Sequence, residues 1–113
     1  MNSDHLDRTL AALADPHRRR VVDLLRDRPR RAGELADAAR ISFPAMSRHL
    51  KVLRQTGLIE PESDDADARA RVYRLRPEPF SALRRWLDEV ERFWTLELSA
   101  FKAHAERTRG TRR

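Results

Sequence analysis

Proline and glycine stand where helices must begin or end in the first half of this chain, and that punctuation limits the fold more than any other feature. Pro16, Pro29, Pro44 and Gly57 divide residues 1–57 into four short helices. Leu6, Leu10 and Leu13 recur at helical spacing over about residues 4–13. In "DPHRRRVVDLLRD", Asp15 is placed to cap a second helix, with Pro16 at its first position, where a missing N–H is harmless. Val21, Val22, Leu24 and Leu25 give it a buried face, and Pro29 ends it. "RAGELADAA" makes a short third helix in which Leu35, Ala36 and Ala39 can pack closely. A fourth helix is capped by Ser42, carries Pro44 in its first turn and stops before Gly57, a residue suited to the left-handed backbone beyond a helix end.

The pattern then changes. "LIEPES" and "ARVYRLR" read as two strands around the acidic turn Asp64 to Asp67, and Pro61 assigns the first of them to a sheet edge or an early end. From Pro79 to about Arg107, Phe80, Leu83, Leu87, Val90, Trp94, Leu98 and Phe101 follow in steps of three and four, the period of one long helix. Residues 108–113, "TRGTRR", read as a flexible basic tail. With 113 residues and neither internal repeat nor linker, the chain is expected to form one domain over residues 1–107. The fold class is mainly α with a small β-hairpin, and the order α-α-α-α-β-β-α is a winged helix-turn-helix.

Composition narrows the function. Charged residues are 37% of the chain and the formal net charge is +6, with the front half and the tail basic and the middle acidic. Such a surface favours a polyanionic partner. There is no cysteine, which excludes disulfides, thiolate metal sites and thiol redox sensing. No apolar run approaches the roughly 18–20 residues of a membrane span, and Met1 to Leu10 lacks a signal peptide's apolar core, so the expected location is the cytoplasm, with no membrane partner. Only three glycines occur and no phosphate-binding loop. Ser47 and His49, two apart on a helix, point in different directions, so no nucleophile–base pair and no enzyme is expected.

The fourth helix carries the positive signal. At about 100° per residue, Met46, Leu50 and Leu53 form one stripe for the core. Pro44, Arg48, Lys51 and Gln55 lie opposite, with Ser47 and His49 on the flanks. Arginine pairs with guanine, glutamine with adenine, and hydroxyls with either, while His49 is suited to donate to a phosphate. A short capped helix after a tight turn is how such a face enters a major groove of double-stranded DNA.

The last helix bears two apolar stripes, Phe80, Leu83, Leu87, Val90, Trp94, Leu98 and Phe101 on one and Trp86, Phe93 and Leu96 on the other. A helix at the edge of a small domain needs one. The excess points to a partner chain, with Leu6, Leu10 and Leu13 of the first helix contributing.

"LADPHRRRVVDLL", "GELADAARISFPAMSRHLKVLRQTGLIE" and "RVYRL" together resemble the ArsR/SmtB family of dimeric bacterial transcriptional repressors, over about residues 6–100. The resemblance implies a homodimer on a palindromic operator that represses its own or a neighbouring gene. It assigns DNA reading to Ser42, Phe43 and Pro44 at the helix start, with Ser47, Arg48, His49 and Lys51. Phe43 stands where relatives commonly carry Gln, and the wing tip holds Asp64, Asp65 and Asp67 where they often have Arg and Gly. Carboxylates repel phosphate, so Arg69 and Arg71, rather than the tip, are expected to touch the DNA backbone. Metal-sensing members use a cysteine pair where this chain has Arg31, Ala32 and Gly33, or last-helix ligands whose nearest register here is Asp88, Val90, Phe101 and His104. Val90 and Phe101 belong to the apolar stripe, so neither a metal nor another cofactor is expected, and the residues identify no inducer. The competing classes are a nonspecific nucleoid or RNA-binding protein and an interaction module that has lost DNA binding.

Overall fold

The computed structural model describes residues 3–62 and 65–110. Its elements run α1 (Ser3–Leu13), α2 (Pro16–Asp27), β1 (Arg30–Arg31), α3 (Ala32–Ala39), α4 (Phe43–Gln55), β2 (Ile59–Pro61), β3 (Val72–Leu75) and α5 (Pro77–Gly110). The expected helices, the hairpin strands and their order are present. The predicted ends shift by a few residues, and α5 continues helical past Arg107 to Gly110. Residues 111–113 of the expected tail lie outside the described residues.

Each helix start has a local cause. The Asp15 carboxylate accepts hydrogen bonds from the backbone N–H groups of His17 and Arg18, which the first turn of α2 leaves without helical partners. Ser42 Oγ accepts from Ala45 N at 3.2 Å for the same reason. At the end of α4, Gly57 adopts φ +77°, the left-handed conformation its position requires. Between α3 and α4, Arg40 is left-handed as well, at φ 58°, and its N–H bonds back to Ala36 O and Asp37 O. That closes the turn of the helix pair with a residue other than glycine.

One strand was not foreseen. Arg30 and Arg31 pair antiparallel with Tyr73 and Val72, so the expected two-stranded hairpin is a three-stranded sheet in the order β1-β3-β2. A two-residue strand of arginines has no alternation to detect, and only its partner makes it a strand. β2 pairs Ile59 with Leu75 and Pro61 with Tyr73, and it lies at the sheet edge, where Pro61 removes no needed donor.

The chain divides into two compact units, residues 1–82 and 83–113. The boundary therefore falls inside α5, whereas the sequence reading carries one domain to residue 107. In the first unit Val21, Leu35, Met46, Leu53 and Leu58 are fully enclosed, with Phe80 packed on the edge of the core. On α1 the buried residues are the small Thr9 and Ala12, while Leu10 is exposed and Leu6 half-buried. In the second unit, every described side chain from Glu91 to Thr108 is exposed.

Candidate nucleic-acid interface

The turn Arg40–Ile41–Ser42 brings α4 out of α3, and Met46, Leu50 and Leu53 anchor it in the core, as the wheel predicts. The opposite face follows from that anchorage. Ser42, Pro44, Ser47, Arg48, Lys51 and Gln55 are all exposed. The side chains of Ser47, Arg48, Lys51 and Gln55 make no hydrogen bond or ion pair with another described residue. Elsewhere in the same unit arginines are neutralised at close range, Arg28 and Arg30 on Glu34 at 2.7 and 2.8 Å and Arg74 on Glu60 at 2.8 Å. The Glu34 carboxyl is pushed up by burial, but hydrogen bonds from Arg30 and Arg28 outweigh that and hold it below its usual range.

The two flanks of α4 differ. His49 turns toward the start of α2, where its Nδ1 lies 3.5 Å from Arg18 Nη1 and 4.0 Å from Asp15 Oδ1, and its ring is 5.5 Å from that of His17. Arg18 also donates from Nε to Ala12 O at 2.6 Å and from Nη2 to Ala11 O at 3.3 Å. One guanidinium thus ties the end of α1, the cap of α2 and the back of α4. Burial raises the Asp15 carboxyl, but the backbone N–H groups of Arg18 and His17 and the nearby cationic groups lower it further, to a net value below the usual range. His49, expected on sequence grounds to meet a phosphate, is engaged in this junction.

Phe43 is half-buried against the core, and the Arg69 guanidinium lies over its ring at 4.8 Å from the centroid. Such a contact contributes ~0.5–1 kcal/mol at an exposed site. Two of the residues assigned to DNA therefore pack on each other and join the wing to the first turn of α4. The wing's return leg is also pinned by backbone: Gly33 N donates to Arg69 O at 2.9 Å and Ala32 N to Arg71 O at 3.0 Å. Its acidic residues have local work. Asp65 Oδ1 accepts from Asp67 N at 2.9 Å and Asp67 Oδ1 from Arg69 N at 3.0 Å, successive side-chain turns that need short carboxylates. Asp64 lies outside the described residues.

Between α4 and β3 runs a groove of about 480 Å³ lined by Ser47, Leu50, Lys51, Arg54, Gln55, Arg71 and Tyr73. Arg54 and Tyr73 are absent from the sequence reading. Arg54 is four residues from Leu50 and was passed over as the edge of the core stripe, and Tyr73 as an ordinary strand aromatic. Arg71 reaches Asp65 O through Nη2 at 3.2 Å, while its Nε is buried and finds no partner among the described residues. A buried donor left unpaired costs ~1–3 kcal/mol.

Known proteins agree with this geometry. A helix-turn-helix domain model matches residues 13–62, which enclose the α3–turn–α4 unit. The HTH-type transcriptional regulator Rv2034 of Mycobacterium tuberculosis is 43% identical over 95 residues, 84% of this chain and 83% of that protein. The transcriptional repressor SdpR of Bacillus subtilis is 37% identical over 54 residues, 48% of this chain and 60% of that one. The crystal structure of the ArsR family transcriptional regulator RHA00566 matches with a TM-score of 0.74 at 30% identity, covering 84% of this chain and 95% of that one. The chain belongs to the ArsR family.

As an ArsR-family protein it is a transcriptional regulator with a winged helix-turn-helix DNA-binding domain, and these relatives are regulators rather than enzymes. In this ArsR chain the last helix exposes apolar residues: Leu87, Phe93, Trp94, Leu96, Leu98 and Phe101 are each at least 47% accessible, while Leu83, Trp86 and Val90 are half-buried. Asp88 is held by Arg84 Nε at 3.0 Å. Among the described residues no group of three His, Cys, Asp or Glu is arranged to hold a metal ion, and no helix is long and apolar enough to cross a membrane.

Proposed function

We propose that this regulator is a cytoplasmic, homodimeric repressor that binds a palindromic operator and controls its own or a neighbouring gene. The observation that carries the proposal is the outer face of α4, where Ser47, Arg48, Lys51 and Gln55 are exposed and unengaged by other described residues, on a helix locked by its opposite side. Arg48 and Gln55 are suited to base edges, and Lys51 and Ser47 to bases or phosphates. Ser42 and Pro44 place the start of the helix against the DNA backbone. Arg69 and Phe43 act by positioning the wing, and His49 by seating α4 on α2.

A second copy covers the exposed apolar residues of α5 and Leu6 and Leu10 of α1. Two-fold symmetry then presents two reading helices roughly 34 Å apart, the spacing of successive major grooves. Repression is steric, by occupation of a promoter. Footprinting on the DNA upstream of the protein's own gene, across a salt series, tests this reading. Protection of a short inverted repeat, weakening steeply with salt, is expected. Equal protection of unrelated sequence makes the protein a nonspecific binder, and no protection at all makes it an interaction module.

A further inference from the structure

We propose that the groove between α4 and β3 is a phosphate seat, formed by Lys51, Arg54 and Arg71 with Ser47 and Gln55 at its rim, that grips one backbone phosphodiester of bound DNA in each half-site. This deepens the proposed function and rests on α4 meeting DNA.

Three observations converge. First, the lining is cationic without compensation: Lys51, Arg54 and Arg71 all face the groove, and no carboxylate does. The contrast lies on the same strand. Side chains alternate along β3, so Arg71 shares a face with the buried Tyr73, whereas Arg74 points the other way and is held by Glu60. Second, these cations are not satisfied within the chain. Lys51 and Arg54 have no side-chain partner among the described residues, and Arg71 has only the Asp65 carbonyl, with its Nε unpaired. Third, the helix period that exposes Arg48 and Gln55 turns Ser47, Lys51 and Arg54 toward the wing, at about 0°, 40° and −20° on the wheel. A phosphodiester strand passing beside the base-reading face meets them in that order.

A cation in the last turn of a helix also complements the helix dipole, and Arg54 does so. That explanation requires only Arg54's position along the helix. It does not require the convergence of Lys51 and of Arg71 from a different element, nor a floor made by Leu50 and the Tyr73 ring. The ligand chemistry is a phosphate oxyanion, and the geometry favours a diester within a duplex because the groove is open along its length rather than closed.

The test compares wild type with Arg54→Gln, an exposed change that keeps length and removes charge, by titrating a random-sequence duplex over a series of potassium chloride concentrations. Phosphate contact needs no specific operator, so the result is independent of whether one is found. For a dimer seated on both strands, the slope of log K against log salt is expected to fall by about 1.8, about 0.9 for each phosphate released. An unchanged slope with the wild type binding normally overturns the seat and leaves the reading of α4 intact. Failure of the wild type to bind any duplex overturns both. Arg54→Lys should restore the slope, and a slope that stays low in that variant overturns the electrostatic assignment. Replacing chloride by inorganic phosphate at constant ionic strength separates the sources. A several-fold loss of duplex affinity, absent from Arg54→Gln, shows that free phosphate enters the seat. Equal affinity in both salts, with the slope change, restricts the seat to DNA.

Discussion

Asp15 and Arg48 show how differently single residues act in this regulator. Asp15 caps α2 and, through Arg18 and His49, touches the back of the reading helix. Its folded-state carboxyl titrates below the ordinary value of 3.8, so as pH falls the unfolded chain takes up the proton first. The stabilisation is complete above that ordinary value and is lost as pH drops through the folded one. Asp15→Asn keeps a competent cap, so at neutral pH stability should change by less than ~1 kcal/mol. Denaturant melts at descending pH should show a shallower acid limb for the variant than for wild type. Arg48 carries no structural load, being exposed and without a protein partner among the described residues. Arg48→Ala should leave the melting temperature unchanged and weaken operator binding by ~1–3 kcal/mol per half-site, counted twice in a dimer. Fluorescence titration on the protected repeat checks it, and unchanged affinity would remove Arg48 from the interface.

At the level of elements, the start of α4 and the wing form one packed joint. Phe43→Ala removes a half-buried ring and the platform under Arg69, and should lower stability by ~1–3 kcal/mol. It should also weaken DNA binding without changing the salt slope, since no phosphate contact is lost; a reduced slope would return Arg69 to the DNA backbone. This joint was not legible in the sequence, because Phe43 and Arg69 are distant along the chain and each has an ordinary reading alone. The caps were legible, since Asp15, Ser42 and Gly57 act on backbone within a few residues. So was the buried side of α4, because Met46, Leu50 and Leu53 obey one helical period. β1 was hidden for the opposite reason: two arginines carry no period, and the strand exists only through Val72 and Tyr73. His49, placed correctly on a flank of the helix, revealed its neighbours Arg18 and His17 only in three dimensions.

For the whole molecule, the imbalance between polar reading face and apolar last helix is the main feature. Side chains such as Trp94, Leu98 and Phe101, each more than half accessible, form the kind of surface that marks an association site. Trp94→Glu should give a folded monomer or an aggregate in sedimentation experiments. Its affinity for the inverted repeat should approach that of a single half-site, because the second contact is no longer tethered to the first. A stable dimer of this variant would remove Trp94 from the interface.

The short pairing of Arg30 and Arg31 with the wing's return strand has a mechanical consequence. That ribbon is stitched to the segment between the second and third helices, so it cannot swing without pulling on the helix pair that inserts into DNA. Probe and blade behave as one rigid tool. A descendant of this chain that must fit a different promoter has to change its side chains, since the angle at which they are offered is already set.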